Sequence, residues 1–137
     1  MEKILTVKST TDNLGQVREF VKTNSAGSGL SDEAVDKIVL AVDEACTNII
    51  KHAYNNSPEG EIIIKFLLNN KQLAISLLDF GTDFDSRTIP VPDIKKYYNQ
   101  HKVGGLGVYL MRKLMDEVVY DNNSKGKNKV TLIKYLA

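Results

Sequence analysis

Three short segments of this 137-residue chain carry side chains whose types and spacing suit chemistry. In the first, Glu44, Asn48 and His52 recur every four residues. On a helix each lies about 40° round from the last, so the three form one slanting row. The apolar set Val35, Ile38, Val42, Ala45, Ile49 and Ala53 marks the inward face of the same helix. The polar row falls roughly 80° to 160° from the centre of that face, at a rim half sheltered from water. A solvated flank would more commonly carry Lys and Glu. An amide oxygen such as that of Asn48 is a hard, neutral ligand, adequate for Mg²⁺ when phosphates supply the remaining charge. A carboxylate one turn away, Glu44, is placed to accept a proton from an attacking hydroxyl or water. Asp43 is adjacent in sequence but points elsewhere on the helix. His52 suits a structural hydrogen bond as well as a ligand contact.

The second and third segments are glycine-marked turns. Asp79-Phe80-Gly81-Thr82-Asp83-Phe84-Asp85 follows the apolar run Leu73 to Leu78 directly. An acid at the end of a buried strand is costly unless it meets a donor. The exocyclic amine of adenine is such a donor, and Gly81 lets the backbone approach a flat ring. A plain turn opened by Asp is the bland alternative. Gly104-Gly105-Leu106-Gly107 stands immediately before a helical pattern. Glycines there free the backbone to wrap an anion, and the helix start offers unpaired N–H groups and a positive dipole end, so a phosphate belongs there. No Gly-Lys-Ser/Thr follows, so the segment is not a P-loop, and no βαβ unit surrounds it, so it is not a Rossmann turn. Lys102, just upstream, is available for charge neutralisation.

The elements that must position these groups read clearly. Ile4 to Lys8 alternates as a short strand; Leu14, Val17, Phe20 and Val21 recur at helical spacing, and Asn24 to Gly29 ends that helix. Ser31, followed by acidic first-turn residues, opens the second helix, which runs to about Tyr54. Strands Ile62 to Leu68 and Leu73 to Leu78 form a hairpin through Asn69-Asn70-Lys71. Residues 84–103 carry Pro90 and Pro92 without a sustained period and read as a lid. A helix with Leu106, Leu110, Leu114 and Met115 inward follows, then strands at Val118 to Tyr120 and Val130 to Leu136. The order β, α, α, ββ, lid, α, ββ predicts one α+β domain over 1–137: a two-layer sandwich, its mixed, mostly antiparallel sheet carrying helices on one face.

Composition sets the class. With 42% hydrophobic and 26% charged residues the chain is an ordinary globular protein. Eighteen Lys and Arg against 17 Asp and Glu leave a net charge of +1, which gives no reason to favour direct nucleic-acid binding. No stretch is long and apolar enough to cross a bilayer, and Met1 to Ser9 lacks an apolar signal core, so the expectation is a cytoplasmic protein without a membrane partner. The single cysteine, Cys46, sits in the patterned helix and reads as a buried structural thiol.

Taken together, the segments resemble the GHKL ATPases of the Bergerat fold, and within them the bacterial anti-sigma-factor serine/threonine kinases of partner-switching systems. Asp43 to Tyr54 is similar to the family's N box, Asp79-Phe80-Gly81 to its adenine-binding turn, and Val103 to Val118 to its phosphate-binding segment. The resemblance implies ATP and Mg²⁺ as cofactors, with Asn48 coordinating the metal and Glu44 as general base for an acceptor hydroxyl. It implies that His52 lines the nucleotide site, that Asp79 reads the adenine amine with Gly81 close to the base, and that Lys102, Val103, Gly104, Gly105, Leu106, Gly107 and Val108 hold the phosphates. It further implies a sigma factor and a STAS-domain anti-sigma antagonist as partners, and a homodimer. Two positions depart from the family pattern: Asp83 replaces the second glycine of the G-x-G turn, and Lys127-Asn128-Lys129 replaces a late Gly-Thr pair. The alternative function is a nucleotide-binding regulatory module that sequesters a partner without catalysis. Glu44 separates the two, because a pure binder needs no base there.

Overall fold

The structure is a computed structural model that describes residues 1–81, 111–121 and 126–136. Five strands, β1 (Glu2–Lys8), β2 (Glu61–Leu68), β3 (Gln72–Asp79), β4 (Glu117–Asp121) and β5 (Asn128–Tyr135), form one sheet in the order β1-β2-β3-β5-β4. Among the described residues every ladder is antiparallel, in keeping with the mostly antiparallel sheet expected from the sequence. Alternation dictates its two faces. In β2, Ile62, Ile64 and Phe66 are buried while Glu61, Lys65 and Leu67 are exposed. The central strand β3 is buried on both faces, from Leu73 through Leu78 with only Ser76 intermediate, which explains its nearly continuous apolar run. The β2–β3 hairpin closes on Asn69, whose Oδ1 accepts from Lys71 N–H at 2.8 Å and Gln72 N–H at 2.9 Å.

Two helices, α1 (Leu14–Ser25) and α2 (Asp32–Asn48), cover the inward face. The start of α2 follows from its sequence: Ser31 Oγ accepts the Ala34 N–H at 3.1 Å, and Asp32 and Glu33 meet the positive helix end. Val17 and Val21 of α1, and Ile38, Val42 and Ala45 of α2, join Ile62, Ile64, Phe66, Ile75, Leu77 and Leu132 of the sheet in one core. Residues 111–114 are helical and bring Met111 and Met115 into that core. Met115 and the half-buried Leu114 match the expected inward set; Met111, fully buried, is an addition to it. Leu106 and Leu110 lie outside the described residues, as does the lid expected at 84–103.

Between the helices, Arg18 donates to Asp43 Oδ1 at 2.9 Å. That pairing turns Asp43 away from the row of Glu44 and Asn48, as its helical position predicts. Cys46 is 1% exposed, and burial pushes its thiol up to about 12, with the charge of Asp43 adding to the effect. It stays a neutral packing group.

Candidate functional site

The site is built where α2 ends. After Asn48 the helix widens into a π-helical turn, Ile49–Ala53, closed by the Tyr54 N–H donating to Ile49 O at 3.1 Å. Ile49, Ile50 and Ala53 keep their apolar side inward. The widening alters the polar row. Glu44 and Asn48 remain one regular α-helical turn apart on the flank of α2, both partly exposed, whereas His52 falls within the wider turn and is exposed. As a regular α-helical row, the predicted three residues are therefore two.

Glu44 has a proton affinity raised above the ordinary carboxylate range. Burial is the main cause and the neighbouring Asp43 charge the second, with Lys51 pulling the other way. A half-sheltered carboxylate with that bias is a better proton acceptor than a freely solvated one. The Asn48 Nδ2 is buried and meets no hydrogen-bond partner among the described residues. An amide's two ends are alike in shape, so a half-turn puts its oxygen in that place instead. Leaving a buried polar atom unmet costs about 1–3 kcal/mol, a cost that a ligand at this position would remove. Among the described residues no group of three or more His, Cys, Asp or Glu is arranged to hold a metal ion. The donor set fits Mg²⁺ held mainly by phosphate oxygens and water, with one protein amide.

At the end of β3, Asp79 is 4% exposed. Its Oδ1 accepts two hydrogen bonds, from Gly81 N–H at 3.0 Å and from Asn128 Nδ2 at 2.9 Å. The Asn128 amide also donates to Gly81 O at 3.3 Å, so it spans the turn. Register explains the meeting, because Asp79 and Asn128 are direct partners across the β3–β5 ladder. Gly81 packs on the π-helical turn so closely that an added Cβ would stand 2.3 Å from Ala53 O and 2.7 Å from Ala53 C. Glycine is required here by close approach to the protein's own backbone at Ala53, whereas the sequence expectation was an approach to a flat ligand ring. Ile49, Ala53, Asp79, Tyr120, Asn128 and Val130, with Lys129, line a recess of about 20 Å³, room for roughly one water.

The structure thus brings Asp79 and Gly81 against the turn that extends the Glu44–Asn48 helix, joining two of the three predicted segments. The third, Lys102, Val103, Gly104, Gly105, Leu106, Gly107 and Val108, lies outside the described residues. Sequence reading noted Asn128 only as a departure from a pattern and passed over Tyr54, whose hydroxyl also touches the turn. No short-range signal marks Asn128, because its meeting with Asp79 depends on the β3–β5 register.

Comparison with known proteins identifies the family and a shared fold. The sequence model described as histidine kinase-like ATPase domain matches residues 7–134. The chain is 35% identical to the serine-protein kinase RsbW of Bacillus velezensis, covering 90% of this chain and 78% of that protein. It is 34% identical to the RsbW of Bacillus subtilis, over 95% of this chain and 82% of the relative, and 35% identical to that of Listeria monocytogenes, over 80% and 71%. Among solved structures, the crystal structure of the RsbU and RsbW domains of a Mycobacterium tuberculosis protein shares the fold, with a TM-score of 0.69 at 18% identity over 98% of this chain and 31% of that one.

Proposed function

We infer the function from one premise: this chain belongs to the histidine kinase-like ATPase domain family, in the branch of the RsbW serine-protein kinases. It is an ATP-dependent protein kinase that transfers the γ-phosphoryl group to a serine or threonine of a STAS-domain anti-sigma antagonist, and in its other role it sequesters a sigma factor. It works as a cytoplasmic homodimer. The observation that carries the reading is the juxtaposition at the end of α2: a carboxylate of raised proton affinity and an amide whose buried nitrogen is unmatched, one turn apart, continuous with the turn on which Gly81 rests.

In this mechanism Asp79 accepts the adenine amine, and Gly81 keeps the turn flat enough for the base. The phosphate contacts are assigned to residues 102–108, which the family resemblance marks for that role. The Asn48 amide oxygen would hold Mg²⁺, which when bound would neutralise charge on the phosphates. The acceptor hydroxyl attacks the γ-phosphorus as the bond to the leaving ADP oxygen breaks, and Glu44 takes the hydroxyl proton. Phosphoryl transfer asks little more of a protein than positioning and charge neutralisation. His52 sits at the exposed edge of this site.

The direct test is incubation with labelled ATP, Mg²⁺ and STAS-domain proteins from the same genome, followed by mapping of phosphoserine or phosphothreonine. Label on a single hydroxyl residue of one such protein is the expected result; ATP binding with no transfer to any of them would favour the sequestering module instead. Asn48→Ala should weaken ATP–Mg²⁺ binding by about tenfold or more, a loss on the order of 1.4 kcal/mol, while ATP affinity measured in EDTA changes little. Titration calorimetry with and without the metal reads both; equal loss in the two conditions would remove Asn48 as metal ligand.

A further inference from the structure

We propose that Tyr54 is a positioning residue for base recognition, its hydroxyl latching the Asp79–Gly81 turn to the first residue of β2. The inference rests on the reading in which Asp79 accepts the adenine amine.

The hydroxyl is committed in both senses. It donates to Glu61 O at 2.6 Å and accepts from the Phe80 N–H at 2.8 Å. A phenol has one proton, and a carbonyl can only accept, so the proton goes to Glu61 and the lone pair to Phe80. Burial, and further the Asp79 and Glu61 charges, hold the phenol protonated against the opposing pull of the hydrogen bond it accepts from Phe80 N–H. The ring packs on Gly60. An added Cβ on Gly60 would lie 2.5 to 2.6 Å from three of its carbons, so the Gly60 backbone lies against it. Gly60 is itself tied down, its N–H donating to Ser9 Oγ at 3.0 Å and its carbonyl accepting the Ser9 N–H at 2.9 Å, with Ser9 1% exposed.

Among the described residues Phe80 has little else to place it by packing, since it is 48% exposed. The peptide between Asp79 and Gly81 is therefore set by the Tyr54 hydroxyl on one side. Asn128 spans the same turn from the other. Fixing that peptide fixes the direction from which the Asp79 carboxylate meets a ligand, and discrimination between an amine and a carbonyl on a purine depends on that direction.

Tyr54→Phe removes the hydroxyl and keeps the ring on Gly60. The full chain carrying it should bind ATP about tenfold more weakly and prefer ATP over GTP less, while inorganic tripolyphosphate with Mg²⁺ binds as before. In turnover, KM for ATP should rise with kcat at saturation retained. Gly60→Ala, which displaces the ring but leaves the hydroxyl on the chain, should reproduce the selective loss. If ATP and tripolyphosphate weaken by the same factor alongside a lower Tm, Tyr54 supports only the fold and the latch is overturned; unchanged ATP affinity and selectivity overturn it too. Asp79→Asn separates the underlying reading: selectivity unaffected by that change removes the adenine assignment itself, whereas selectivity lost in Asp79→Asn and kept in Tyr54→Phe removes the latch alone.

Discussion

Glu44→Gln should abolish phosphotransfer, by about 100- to 10,000-fold, the range that a positioned general base contributes, and should leave ATP affinity within about twofold. The same substitution should leave Tm at or above that of the parent. The sign follows from the proton affinity of Glu44, raised first by burial and then by Asp43. A carboxyl whose folded-state pKa exceeds its unfolded value contributes stability below the unfolded pKa, and that contribution is lost as pH rises through the folded pKa. At neutral pH the ionised side chain is thus a burden on the fold, which neutral Gln relieves. Because the exchanged group is partly open to water, the gain is small. Activity without stability is the pattern of a functional group, and a structural carboxylate would show the reverse. The parent's kcat against pH should rise along an acid limb that lies above the ordinary carboxylate range, and Glu44→Gln should lose that limb. A variant with undiminished transfer and an unaltered profile would take Glu44 out of the chemistry.

Gly81→Ala should lower both ATP affinity and stability. The new Cβ would stand 2.3 Å from Ala53 O, and the atom it meets is backbone rather than the end of a mobile side chain. That backbone belongs to the π-helical turn closed by the Tyr54 N–H to Ile49 O bond, so it yields only by loosening the end of α2. Overpacking of this kind typically costs about 1–3 kcal/mol. If the turn absorbs it, ATP affinity falls by about tenfold to a hundredfold. Gly15→Ala is the matched control. Its Cβ would meet nothing within 4 Å, and alanine inside α1 should stabilise by about 0.5–1 kcal/mol. Thermal melts together with ATP titrations compare the two. Equal, harmless behaviour of both would mean that close approach at Gly81 does not govern the site.

The amino-acid sequence by itself determined the local elements and the chemistry attached to them. Period-two burial in Ile62, Ile64 and Phe66, the cap at Ser31, the Asn69 hairpin and the Glu44–Asn48 spacing are all short-range features, written within about one turn or one pleat of chain. They were legible for that reason. The strand-ending position of Asp79 was legible too, because the apolar run before it left no other place for an acid.

Tertiary structure decided what those residues face. That β5 pairs with β3, bringing Asn128 onto the Asp79 carboxylate across 49 positions of sequence, depends on register between strands far apart in the chain. The π-helical turn is likewise invisible to a helical wheel. Through that widening His52 leaves the row, and the same turn meets Gly81 at Ala53 and Phe80 at Tyr54. Periodicity reports which side of an element is buried. What lies against that side is set by long-range packing, in which each contact depends on every other element already being in place.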